Sequence, residues 1–260
     1  MRNAYYIISL ILVICIGCQW SLKPSGKQAD AGELTIERYD RIEALFLTAG
    51  DYAALQQMNT VYPMQTRTLI EDMLHIGHVN DEDINNRFYF FFQDSVLQQL
   101  IADVQEQYTD ISDISEQMND AFEILKKKLP TLEMPHIYTQ IGSFDQSIVV
   151  AGNNLGISLD KYLGSDYPFY QQHYSERQRQ AMVRSMIVPD CIGFYLLSKY
   201  PMPKNAADDQ KLRDQHVGRI QWVVNQVMKD KLFDSEYVDA AEQLMNNSSR
   251  LSYERLLRYL

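Results

Sequence analysis

The apolar residues of this chain change their spacing twice, and that change limits the fold more than any other feature of the sequence. Up to Leu129 they recur at intervals near three and four, the period of a helix that hides one face. Ile36, Tyr39, Ile42, Ala44, Leu45 and Phe46 form one such set, which predicts a helix opening at Ile36. Asp94 is placed to cap a second, with Val96, Leu97, Leu100, Ile101 and Val104 on its face. Ser112 or Asp113 is placed to cap a third, carrying Ile114, Met118, Phe122, Leu125 and Leu129. Lys126, Lys127 and Lys128 suit its C-terminal dipole, and Pro130 ends it. After Pro135 the runs become short, β-branched and aromatic: His136 to Ile141, then Gln146 to Ala151, with Gly142-Ser-Phe-Asp145 between them, which predicts a hairpin. Gly152-Asn153-Asn154 marks a second turn before Leu155 to Asp160. Beyond Tyr170 helical spacing returns, from Ser175 to Ser198 with a kink or break at Pro189, then Asp208 to Met228 and Asp234 to Met245. Helices, a small antiparallel sheet and helices again make the expected class α+β, in a single domain spanning residues 33–260.

Composition narrows what such a domain does. Lys and Arg number 24 against 34 Asp and Glu, a net charge of -10, which leaves no basic patch to neutralise phosphates and argues against a nucleic-acid partner. Arg2 precedes an apolar run from Ala4 to Gly17, too short for the ~20 residues of a membrane-spanning helix and shaped like a secretory signal. Cys15-Ile16-Gly17-Cys18 resembles the lipid-attachment site of bacterial lipoproteins, with residues 1–17 as signal peptide and Cys18 as the lipidated first residue. The expected partner at that end is therefore a membrane, through the lipid. Two or three acyl chains anchor durably where one holds only marginally. Residues 18–32 are polar, contain Pro, Ser and Gly, and read as a tether. A flexible segment of this length reaches roughly 20 Å. Processing would leave Cys191 as the one thiol, so no internal disulfide is available and stability must come from the core.

Several segments together resemble one family. The lipoprotein-like start, Ile36-Glu-Arg-Tyr-Asp40, Pro135-His-Ile-Tyr-Thr139 and Met186-Ile-Val-Pro-Asp190 occur in the order seen in the gliding-motility lipoprotein GldB family. The most specific match is Asn154-Leu-Gly-Ile-Ser-Leu-Asp-Lys-Tyr-Leu-Gly-Ser-Asp-Tyr-Pro-Phe-Tyr170, with a Leu-Asp-x-Tyr-Leu-Gly-x-Asp signature at its centre. The likeness runs from about residue 34 to 203 and fades from Lys204 onward. It implies a cell-envelope lipoprotein with the domain facing the periplasm or the surface, which in gliding bacteria is needed for movement. The family is distantly similar to zincin-type metallopeptidases, which implies a zincin-like outline with the sheet followed by an active-site helix. Zinc chemistry there needs His-Glu-x-x-His, two imidazoles one turn apart and a carboxylate to take the water proton. The corresponding stretch here reads Val188-Pro-Asp-Cys-Ile-Gly-Phe194. No cofactor or metal is therefore expected.

The remaining chemistry-bearing residues admit two readings each. His75 and His78 lie three apart with Glu71 nearby, a spacing that suits a metal or a polar helix end closed by Gly77. His136 and His173 flank the sheet region and either assemble a site in three dimensions with Asp160, Asp166 or Asp190 or are structural. Asp160 and Asp166 are either an acid–base pair or turn-capping carboxylates around Gly164, with Tyr162 and Leu163 packed inward. Tyr167, Phe169, Tyr170 and Tyr174 are either a binding surface or core. The expected binding residues are Asp160, Tyr162, Asp166 and Tyr170. Phe88 to Phe92 is expected to be buried, and Cys191 lacks a motif that would supply a base. The reading that follows is a non-catalytic envelope lipoprotein that binds a partner protein or peptide. Its alternative is a divergent metal-dependent hydrolase with ligands from His75, His78, His136, His173 or His216. A plain spacer, the third option, would tolerate surface changes from Tyr167 to Tyr174.

Overall fold

The structure is a computed structural model and describes residues 34–202, 209–248 and 250–258. Cys18, the signal and the tether lie outside the described residues. The N-terminal half is helical: α1 (Tyr39–Ala49), α2 (Tyr52–Thr60), α3 (Pro63–Arg67) running into a π turn (Thr68–Met73), α4 (Ile84–Phe91), α5 (Ser95–Gln107) and α6 (Ser112–Lys128). Asp94 caps α5 as expected, its carboxylate accepting the Val96 amide at 2.8 Å. The three lysines fill the last turn of α6. Its start differs from expectation: Ile111 holds the cap position, and Asp110 accepts the Ser112 amide at 2.8 Å.

The sheet is mixed, which corrects the expected antiparallel one. Its strands are β1 (Ile36–Glu37), β2 (His136–Gln140), β3 (Ile148–Ala151) and β4 (Asn154–Ser158), in the order β1-β2-β4-β3. Ile36 thus belongs to a strand rather than to α1: Ile36 pairs with Ile137 in parallel, and the helix starts only at Tyr39. The expected β2–β3 hairpin does not form, because β4 lies between them, parallel to β2 and antiparallel to β3. The hairpin is β3–β4, closed by the two residues Gly152 and Asn153, with Gly152 at φ 63°, the left-handed geometry that short hairpins demand. In β4, Gly156 faces Tyr138 across the ladder. A Cβ there would stand 2.6 Å from the tyrosine ring, so glycine is what lets Tyr138 lie across the neighbouring strand.

Beyond the sheet come a 3₁₀ turn (Leu159–Lys161), α7 (Pro168–His173), α8 (Glu176–Arg179), a second 3₁₀ turn (Arg184–Met186), α9 (Ile187–Lys199), α10 (Gln210–Met228), α11 (Glu236–Asn247) and α12 (Tyr253–Arg258). The long helix expected from Ser175 is divided, but before Pro189 rather than at it. Pro189 is third in α9, where its missing N–H is one of the amides that a helix start leaves unpaired anyway. α9 packs on β3, β4, α6 and α10. It buries Ile187, Val188, Cys191, Ile192, Tyr195 and Leu196, while α10 buries Ile220, Val223, Val224 and Val227. α1 covers the sheet at β2 and reaches α5. The Phe88–Phe92 run is only half buried: Phe88 and Phe92 are in the core, but the helix period turns Phe90 and Phe91 outward, 68% and 37% exposed.

Candidate functional site

The loop between β2 and β3 is where buried charge, unusual backbone and an open cleft meet. Ser143 and Phe144 both take left-handed φ, 55° and 63°, a conformation that costs non-glycine residues about 1–2 kcal/mol each. Asp160, wholly buried in the 3₁₀ turn that follows β4, holds them there. Its Oδ1 accepts the Gly142 amide at 2.7 Å and its Oδ2 the Phe144 amide at 2.6 Å. Burial pushes the Asp160 carboxyl above the ordinary carboxylate range, against the pull of the Gly142 and Phe144 amides and of Lys161. From the other side, Lys161 Nζ donates to the Phe144 carbonyl at 3.0 Å, and the Tyr174 hydroxyl donates to the same oxygen at 3.2 Å.

The loop so fixed delivers one wall of a cleft of about 500 Å³, lined by Asp94, Val96, Leu97, Ser143, Phe144, Phe169, His173 and Tyr174. Phe144 and Phe169 stack in parallel at 3.8 Å between ring centroids, and His173 lies over Phe169 at 4.2 Å. Lys161 sits 4.7 Å from the centre of the Tyr174 ring, within cation–π range. Val96 on the facing helix is 49% exposed. The cleft is therefore an aromatic platform opposite an aliphatic wall, with Asp94 and His173 on its margins. Such a surface takes up apolar or planar groups.

The residues expected to bind divide between support and surface. Asp160 is the clamp just described. Tyr170, fully buried, donates its hydroxyl to the Asp160 carbonyl and accepts the Leu163 amide at 3.2 Å. Tyr162 is buried and donates to Asp190 Oδ2 at 2.8 Å, while Tyr108 donates to the Tyr162 carbonyl at 2.6 Å. Asp166 is exposed, in a setting unlike that of Asp160. Tyr167 joins the cluster at 5.0 Å from Tyr170 and donates to Asp103 at 2.8 Å. Phe144 and Lys161 complete the cleft and its support, and the sequence reading passed over both, because a phenylalanine inside a turn-rich stretch looks like a connector. Asp190 stands in the first turn of α9, its carboxyl raised to about 6 by burial despite the Tyr162 hydrogen bond. Burial and then the Asp190 charge push the Cys191 thiol well up, away from the thiolate a nucleophile needs.

The histidines are scattered. His75 Nδ1 lies 2.9 Å from the Glu71 carbonyl, and His78 Nδ1 3.8 Å from the Glu71 carboxylate, whose other oxygen accepts the Val79 amide at 2.9 Å. His136 is exposed at the start of β2, His173 belongs to the aromatic platform, and His216 is buried in α10. Among the described residues no three His, Cys, Asp or Glu side chains are grouped to hold a metal ion.

With this geometry in place, comparison with known families is decisive on one point. The family model described as gliding motility protein GldB matches residues 21–247. The chain belongs to the gliding motility protein GldB family. No curated protein and no solved structure matches it. The match runs beyond residue 203, where the sequence likeness was expected to end, and takes in α10 and α11. By family, then, this is a gliding-motility-related lipoprotein of the cell envelope.

Proposed function

We propose that this GldB-family lipoprotein is held to an envelope membrane by lipid on Cys18, with its folded part on the periplasmic side or at the surface. There it works as a non-catalytic binding or assembly component, receiving a partner protein or peptide in the cleft between α5 and α7. The observation that carries this reading is the Phe144–Phe169–His173 stack, in which α7 supplies Phe169 and His173 and Phe144 comes from a loop clamped in a costly backbone conformation by a buried carboxylate. Backbone strain of this kind clusters at ligand clamps and other functional sites. Aromatic anchors in a pocket dominate the energetics of protein contacts. Asp160 holds the loop that carries Phe144, and Tyr170 bonds the Asp160 carbonyl; Tyr162 is buried behind them, and Asp166 is exposed but does not line the cleft.

Two experiments test the two halves of the proposal. Metabolic labelling with palmitate marks the wild-type chain and fails with Cys18→Ala; unchanged labelling of the variant removes the anchor. In a gliding strain that depends on this protein, Phe169→Ala and Phe144→Ala abolish spreading while the protein remains folded and in the membrane fraction. Phe90→Ala, in the separate cavity of about 640 Å³ lined by Ile76, Asp83, Asn86, Arg87, Phe90 and Phe91, leaves spreading intact. Wild-type spreading of both cleft variants would sink the binding site and favour a spacer.

A further inference from the structure

The same loop is held by a second buried carboxyl group, and that group is incompletely paired. Glu43 on α1 is fully buried and accepts the Ile141 amide through Oε2 at 2.9 Å, while its Oε1 has no donor among the described residues. Gln140, the residue before Ile141, is also fully buried, and its Oε1 lacks a donor as well. Its amide nitrogen is already committed, to Ser158 Oγ at 3.2 Å and Met73 Sδ at 2.9 Å. Buried oxygens without donors are rare and costly in folded proteins. A proton on Glu43 converts an orphan acceptor into a donor.

The carboxylates facing Glu43 oppose its ionisation: Asp40 on its own helix and Asp160 from the 3₁₀ turn. The Tyr39 and Tyr138 phenols also face it, and burial and the Glu43 charge hold them in the neutral form. The cations bearing on this cluster are engaged: Arg38 is paired with Asp40 at 2.8 Å, and Lys161 donates to Phe144 and Tyr174.

We propose that Glu43 is a proton-operated latch on the β2–β3 loop. Protonated, it carries no buried charge and the loop stays clamped; ionised, its uncompensated charge drives the loop open, carrying Phe144 out of the cleft. The latch stands on the loop's own hydrogen bonds, whatever the cleft binds. Burial, followed by the Asp160 and Asp40 charges, pushes the Glu43 carboxyl well above the ordinary range, with only the Ile141 amide pulling it down. A carboxyl raised on folding contributes stability that is fully present below its unfolded value of about 4.3 and is lost as pH rises through its folded value.

The test is thermal unfolding of the full chain in detergent micelles between pH 5 and 8.5, for wild type and Glu43→Gln. The glutamine keeps an acceptor for Ile141 and supplies a permanent donor. The wild-type midpoint falls with pH by roughly 3 °C or more beyond any fall in the variant, and the variant is the more stable form at pH 8. Equal slopes in the two proteins would overturn the latch. Should Glu43→Gln fail to fold, carbon-13 labelling of glutamate carboxyls in the wild type decides instead. One glutamate titrates well above the others, and the Phe144 amide signal shifts with the same midpoint. Glutamates titrating together, or a Phe144 signal that ignores the titration, would refute it.

Discussion

Asp160→Asn is the substitution that most directly probes the clamp. The native carboxylate accepts the Gly142 and Phe144 amides at 2.7 and 2.6 Å, inside a fully buried setting. Hydrogen bonds to a charged acceptor contribute about 1.5–3 kcal/mol each, so the pair supplies roughly 3–6 kcal/mol. Against this stands about 2–4 kcal/mol for holding Ser143 and Phe144 at positive φ, and the two sides nearly balance. Asparagine offers one oxygen and one NH₂. One amide keeps a neutral bond, while the other meets a second donor and is left buried and unpaired, at about 1–3 kcal/mol. Relief from burying a charge returns part of that loss, and the net destabilisation comes to about 2–3 kcal/mol. In urea, with a slope of about 2–3 kcal/mol/M, the midpoint drops by roughly 1 M at unchanged slope. Asp160→Ala, which loses both acceptors, falls further. A loss below about 1 kcal/mol for the asparagine variant, too small for an orphaned buried donor, would mean that the loop is not held by this carboxylate and that its left-handed turn has another cause.

Three further outcomes follow from other sites. In Gly218→Ala the new Cβ would lie 2.7 Å from the Tyr237 carbonyl carbon and 2.9 Å from its oxygen, so α11 must move off α10; a loss of about 1–3 kcal/mol in chemical denaturation is expected, and a neutral result would contradict that packing. Asp190 is raised to about 6, so its contribution to stability is complete below its unfolded value and is lost as pH rises through about 6; Asp190→Asn flattens that segment of a stability–pH curve, and an unchanged curve refutes the assignment. Phe90→Ser changes stability by less than about 0.5 kcal/mol in the same assay, because the ring is 68% exposed; a larger loss would show that it is packed.

How much of this was legible in the sequence follows from how local each signal is. The Asp94 cap and the lysines ending α6 depend on the adjacent turn alone, and both stand where the spacing put them. The strands themselves were legible as β-branched runs, but their neighbours were not. Nothing in Ile137 to Gln140 or Ile148 to Ala151 states that Leu155 to Ser158 lies between them, because strand order is settled by the crossover and by the tight Gly152-Asn153 turn. Glu43 did carry a signal that went unread. It falls on the stripe of Tyr39, Phe46 and Leu47, so the helix period alone places a carboxyl on the buried face of α1.

That buried carboxyl group is also what links the fold to the cleft. β1 pairs with β2 in parallel, so the chain must cross over through the helical half before it can return, and the crossover begins with α1 lying on β2. Glu43 is thereby delivered from a distant part of the chain to the Ile141 amide, at the point where β2 ends. Asp160 comes to the same loop from the far end of β4, because β4 rather than β3 is the neighbour of β2. Had β2 and β3 formed the simple hairpin that their sequence suggests, the connection would close on itself and neither carboxylate would be needed. The mixed strand order obliges the loop to span a neighbouring strand, and the two buried acids fix the path it takes, with Phe144 facing Phe169 at its outer end.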